Sequence, residues 1–171
     1  MKTIQKKICL LGDFSVGKSS LVRQFVEGTF SDDYLSTIGV KISRKPIELP
    51  EKDVKLNLLI WDLAGGDDYS KVTSGYLAGA AGIVMVCDVT RKSTTSMLEV
   101  YAQQLKKIKM ADTPAVLLVN KIDLVVEREI TDENLHDLAN KLQIPWHFSS
   151  AKTGEGVEKG FETMANLIIS G

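Results

Sequence analysis

A mostly parallel α/β sheet of six strands, with one antiparallel edge strand and helices on both faces, is the fold this sequence predicts. Three observations predict it. Apolar, strand-like runs recur from Ile8 to Leu11, Val40 to Leu49, Lys55 to Trp61, Gly82 to Cys87, Ala115 to Val119 and Trp146 to Phe148. Helical patterns lie between most of them, from Lys18 to Glu27, Ser93 to Lys109 and Thr131 to Leu142, with a last one from Val157 to Ile169. Strands that alternate with helices build parallel sheets covered on both sides. The third observation is a phosphate-binding pattern between the first strand and the first helix, where that architecture would carry it.

The first run, K-I-C-L-L, enters Gly12-Asp13-Phe14-Ser15-Val16-Gly17-Lys18-Ser19, which fits G-x-x-x-x-G-K-[ST]. After it come Leu21, Val22, Phe25 and Val26 at helical spacing. A Gly-rich turn between strand and helix aims successive backbone N–H groups and a helix N-terminus at an anion. Asp13, Phe14, Ser15, Val16, Gly17, Lys18, Ser19 and Ser20 are therefore the candidate phosphate contacts. Lys18 would reach the β- and γ-phosphates, and the Ser19 hydroxyl would ligate Mg²⁺.

Between Val40 and Trp61 two strands are joined only by Leu49-Pro50-Glu51-Lys52-Asp53, too short for a crossover helix. An antiparallel hairpin at the sheet edge follows. The runs G-I-V-M-V-C and A-V-L-L-V are apolar throughout and suit central strands. No repeat, linker or low-complexity tract interrupts residues 1–171, so one compact domain is expected.

Ligands of such sheets sit outside the carboxyl ends of the strands. Polar residues gather at those ends here. Asp62 closes a strand in D-L-A-G, about 50 residues after the P-loop, where a P-loop protein needs a second acid near its Mg²⁺. Gly65 would let a backbone N–H approach the γ-phosphate without a Cβ clash. In Asn120-Lys121-Ile122-Asp123, the Asp123 carboxylate can accept two hydrogen bonds from the N1–H and N2–H₂ edge of guanine. Adenine lacks that pair of donors and would leave a desolvated carboxylate unmatched. Lys121 can lie along base and ribose, Asn120 ties neighbouring loops together, and Ser150, Ala151 and Lys152 supply the opposite wall, with the Ala151 N–H aimed at a ring oxygen.

With these motifs in this order, the chain resembles the Ras superfamily of small GTPases, most closely its Rab-like branch, over essentially its full length. The matching segments are G-D-F-S-V-G-K-S, T-I-G at Thr37 to Gly39, W-D-L-A-G at Trp61 to Gly65, N-K-I-D and S-A-K. The resemblance implies a P-loop NTPase (small G-protein) fold and a GTP/GDP switch with Mg²⁺ held by Ser19, Thr37 and Asp62. It implies that Thr37 meets metal and γ-phosphate in the GTP state only, that Phe30 packs on the guanine and that Tyr34 covers the phosphates. Lys18, Thr37, Gly65 and Gly66 are then the catalytic candidates. Effectors, exchange factors and activating proteins would dock on the switches, from Asp33 to Gly39 and from Gly65 to Tyr76. Trp61 and Tyr76 match two of the three hydrophobic positions through which Rab-like proteins meet effectors, and Ile42 replaces the usual aromatic third; a tryptophan half-buried on an edge strand is the bland alternative for Trp61.

Two departures bear on hydrolysis. Most members carry a water-orienting glutamine after D-x-x-G; this chain has Gly66, followed by Asp67 and Asp68. Phe14 stands where relatives have glycine or another small residue and would crowd the water site or an incoming arginine, unless it swings outward. Slow intrinsic hydrolysis follows, and a GTP-binding interaction module with negligible hydrolysis is the alternative. A carboxylate at Asp67 or Asp68 is a poor substitute beside a γ-phosphate. A P-loop ATPase or nucleoside kinase is disfavoured by N-K-I-D.

Composition excludes other classes. The net charge is −1 with no basic block, which disfavours nucleic acid as the main partner. Residues 1–7 leave no room for a signal peptide, and the chain shows no lipidation motif, so a cytoplasmic protein is expected that reaches membranes only through partners or an absent tail; a monomer is the expected state. Cys9 and Cys87 fall in apolar runs as core thiols, and His136 and His147 lack a partner at catalytic spacing.

Overall fold

The alternating pattern is realised in the computed structural model, which describes residues 1–33, 35–65 and 71–171. The elements in order are β1 (Lys2–Gly12), α1 (Lys18–Glu27), β2 (Val40–Leu49), a 3-10 turn (Pro50–Lys52), β3 (Val54–Leu63), α2 (Lys71–Leu77), β4 (Gly82–Asp88), α3 (Ser93–Lys107), β5 (Ala115–Asn120), α4 (Asp132–Leu142), β6 (Trp146–Phe148) and α5 (Val157–Ser170). The six strands form one sheet in the order β2-β3-β1-β4-β5-β6. Only the β2–β3 pair is antiparallel, so the edge hairpin and the parallel remainder agree with the predicted fold class. The hairpin closes through the 3-10 turn, with Asp53 in the left-handed region at φ 51 and its N–H donating to the Pro50 carbonyl at 3.1 Å.

Strand period two divides the core between the two faces. Ile8, Leu10, Val84, Val86, Val116 and Leu118 pack on one side with Leu21 and Phe25 of α1 and Phe161 and Met164 of α5. Their odd-numbered neighbours Cys9, Leu11, Met85, Cys87, Leu117 and Val119 pack on the other with Leu77 of α2, Leu98 and Tyr101 of α3 and Leu135 of α4. Phe25 and Phe161 stack at 4.1 Å between ring centroids, which binds α1 to α5. Burial pushes both cysteine thiols up to about 12, which keeps them protonated and inert.

The structure differs from the sequence expectation in several places. Strand β1 starts at Lys2, well before the apolar run, because residues 2–7 pair with Val54–Leu59 of β3 although most are exposed. Strand β3 continues past Trp61, so Asp62 lies within the ladder opposite Leu10 and Lys41. Helix α2 went unpredicted. Because β2 is the edge, β3 is the second strand, and Trp61 is not an edge residue.

The chain places β3 on one side of β1 and β4 on the other, which opens a crevice at the carboxyl end of β1. Gly12, Asp88 and Asn120 end β1, β4 and β5 there, with Asp62 near the end of β3 and Ser149 just past β6.

Candidate nucleotide-binding site

The loop after β1 turns by two left-handed residues, Ser15 at φ 60 and Gly17 at φ 99. Gly17 is also the N-cap of α1, and no side chain caps that end, so its first N–H groups are available to an anion. Lys18 is 7% exposed and folds back over the loop, donating to the carbonyls of Gly12 (2.9 Å) and Asp13 (3.1 Å). Burial lowers its ammonium to about 8, against the pull of Asp62 and Asp13. A phosphate beside it would favour the charged form. Asp13 closes the loop from behind, its Oδ1 accepting the Phe14 N–H at 2.7 Å. The Val16 side chain is wholly buried in the core, which leaves only its backbone for a ligand.

Beside the loop, three oxygen-bearing side chains meet. The Ser19 and Thr37 hydroxyls lie 2.7 Å apart, and Ser19 also donates to Oδ2 of Asp62. Asp62 is 1% exposed; burial raises its carboxyl, while the Ser19 hydrogen bond and Lys18 oppose the rise. Its Oδ1 is buried without a partner among the described residues. An unmatched buried carboxylate oxygen needs a cation or water. Two hydroxyls and one carboxylate suit Mg²⁺, which keeps waters and phosphate oxygens in its shell, better than a cation that requires an all-protein cage.

Gly65 passes so close to the loop that a Cβ there would fall 2.7 Å from Lys18 Nζ and 2.8 Å from the Asp13 carbonyl oxygen. The P-loop alone therefore leaves no room for a side chain at this position.

Asn120 is the knot of the other end. Its Nδ2 donates to the Val16 carbonyl (3.0 Å), and its Oδ1 accepts from the Ser149 hydroxyl and the Ala151 N–H, both at 3.2 Å. The Ala151 N–H thus has a protein acceptor, which a ring oxygen would have to share. Asp123 lines the cleft with its Oδ1 fixed by the Ser150 hydroxyl at 2.7 Å. Lys121, left-handed at φ 67, donates to the Ser15 carbonyl at 2.8 Å and pairs with Asp88 at 2.9 Å.

A cleft of about 380 Å³ joins these parts and has Phe14, Ser15, Gly17, Lys18, Ser19, Ser20, Phe30, Thr37, Gly65, Asn120, Lys121, Asp123, Ala151 and Lys152 in its wall. Phe14 faces it at 48% exposure. Tyr34, Gly66, Asp67 and Asp68 lie outside the described residues. His136 is exposed against Trp146, and His147 bonds Thr163 at 2.8 Å; neither lines the cleft. Sequence reasoning missed Arg23, Leu124, Asp88, Arg91 and Tyr101. Asp88 was findable by the rule that found Asp62, a polar residue at the carboxyl end of an apolar strand. Tyr101 was not, because on α3 it is indistinguishable from core, yet its hydroxyl donates to the Gly12 carbonyl at 3.1 Å.

Leu35, in the cleft wall, and Ile38 and Ile42 outside it are 76%, 93% and 50% exposed. Trp61 is half-buried, with Lys7 Nζ 3.6 Å over its ring and Tyr76 6.2 Å away.

The phosphate-cradling turn, the oxygen cluster and the carboxylate-walled pocket on this sheet define a P-loop nucleotide-binding protein. The chain belongs to the Ras family, which it matches over residues 7–170. It is similar to Ras-related protein Rab-1A of Dictyostelium discoideum, with 39% identity over 162 residues that span 95% of this chain and 79% of that protein. It is accordingly a Rab-like, GTP-binding GTPase of the switch type. Among the described residues no helix is long and apolar enough to cross a membrane.

Proposed function

We propose that this GTPase cycles slowly between Mg²⁺·GTP and GDP states and depends on a partner to complete hydrolysis. The observation that carries the Mg²⁺ part is the meeting of Ser19, Thr37 and Asp62 around an unpartnered carboxylate oxygen. These three residues would hold the ion, which supplies charge neutralisation on the β- and γ-phosphates. The start of α1 and Lys18 grip those phosphates. The Thr37 and Gly65 backbone orients the γ-phosphate, and the Asp123 carboxylate selects guanine.

Slowness follows from what is missing. Gly66 has no side chain to orient the attacking water, and Phe14 narrows the cleft where an outside arginine would enter. The exposed Ile42, paired across the hairpin with Trp61, which in turn contacts Tyr76, together with the exposed Leu35 and Ile38 of the nucleotide-sensing loop, supports a partner surface that this loop controls. Single-turnover hydrolysis of preloaded GTP tests this reading. The wild type should fall below the intrinsic Ras scale of about 10⁻⁴ s⁻¹, and Gly66→Gln should accelerate it. An unchanged rate in Gly66→Gln overturns this cause of slowness. Bound GTP that persists in both proteins would favour an interaction module that acts by occupancy alone.

A further inference from the structure

Two consecutive carbonyls of the phosphate loop are held by two cations, and one carboxylate holds both cations. Arg91 Nη2 donates to the Phe14 carbonyl at 2.6 Å, and Lys121 Nζ donates to the Ser15 carbonyl at 2.8 Å. Asp88 Oδ2 receives Arg91 Nε at 3.2 Å and Lys121 Nζ at 2.9 Å. Asp88 is itself built in. It is 1% exposed, and its Oδ1 accepts the N–H and hydroxyl of Thr90 at 2.9 and 2.6 Å. A turn closed by the Arg91 N–H on the Asp88 carbonyl (2.9 Å) sets where the arginine side chain starts.

Lys121 belongs to the base-reading motif; Arg91 belongs to no motif of the site. Its geometry nevertheless acts on the phosphate end. In a trans peptide the C=O and the following N–H point in opposite directions, and the chain has no cis peptide among the described residues. Arg91, which is not among the residues of the cleft wall, fixes the Phe14 carbonyl and with it the orientation of the Ser15 N–H on the opposite side of the same peptide. Ser15 lines the cleft and sits at φ 60, a conformation that an L-residue keeps only when neighbours hold it.

We infer that Arg91 is a positioning residue for nucleotide binding: it locks the Phe14–Ser15 peptide so that the Ser15 N–H faces the phosphates, and through Asp88 and Lys121 it ties that lock to the guanine pocket. The inference rests on guanine-nucleotide binding in this cleft. Relatives without an arginine here would need another donor for the same carbonyl.

The test uses the full chain loaded with GDP, compared with Arg91→Ala and Arg91→Lys. Arg91→Ala should shift the Ser15 amide resonance and the ³¹P resonance of the bound β-phosphate, and should speed GDP release about fivefold. Arg91→Lys keeps the charge but not the two-pronged reach, and should fall between the two. A variant that melts earlier while both resonances and the release rate stay put would make Arg91 a structural ion-pair partner of Asp88 only and overturn the inference. A wild-type protein that takes up no GDP would overturn it together with the reading on which it rests.

Discussion

Asp62 and Asp123 are both carboxylates at the mouth of the sheet, and their surroundings give them different tasks. Asp62 is sealed, with one oxygen on Ser19 and the other unpartnered among the described residues, a setting that a cation or its water would complete. Asp123 lines the open cleft, one oxygen steadied by Ser150. Asp123→Asn exchanges an acceptor for a donor at the base edge. GTP affinity should drop by about a hundredfold and xanthine nucleotide should gain, as competition binding would reveal; unchanged selectivity removes Asp123 from base reading. Gly65→Ala brings a methyl group against Lys18 Nζ and the Asp13 carbonyl. It should weaken GTP more than GDP, and equal release rates for the two nucleotides would contradict that. Lys18, Asp62, Asn120 and Asp123 were legible in sequence because each lies in a dense local pattern. Arg91 was not, because its acceptor on Phe14 is 77 residues away and only the β4 register brings the two together.

Legibility of the elements tracked the strength of the local signal. Helix α4 announces itself by a capping box, in which Thr131 and Asn134 exchange side chain-to-backbone hydrogen bonds at 3.1 Å. Thr131→Ala should therefore cost about 1 kcal/mol in chemical denaturation. The same helix ends with Gln143 at φ 52, an unfavourable choice for a non-glycine residue. Gln143→Gly should gain roughly 0.5 kcal/mol, the relief of left-handed strain minus glycine's larger unfolded entropy. A loss on denaturation would show that the side chain contributes more than its backbone costs. By contrast, α2 spans only Lys71–Leu77 and contains Val72, Thr73, Ser74 and Gly75, poor helix formers in too few turns to show a period. The first half of β1 hid for another reason: pairing with β3 extends it where side-chain burial does not.

At the largest scale, the described residues form a two-faced sheet that presents loops at one rim. Each face has its own apolar cluster, and the strands alternate between them, so the positions of Gly12, Asp62, Asp88 and Asn120 relative to one another are fixed by strand register rather than by the loops. Removing the stacked ring in Phe161→Ala should cost about 3–5 kcal/mol and lower the melting temperature of the free and loaded protein alike. At that rim, one cleft would hold a guanine nucleotide through Asp123 at one end and Mg²⁺ at the other. The most direct measurement of this assignment is uptake of a fluorescent GDP in competition with GTP or ATP, followed by its release with and without a chelator. The account predicts uptake blocked by GTP but not ATP, and release accelerated more than about tenfold when Mg²⁺ is stripped. Equal competition by ATP, or release indifferent to the chelator, would contradict it.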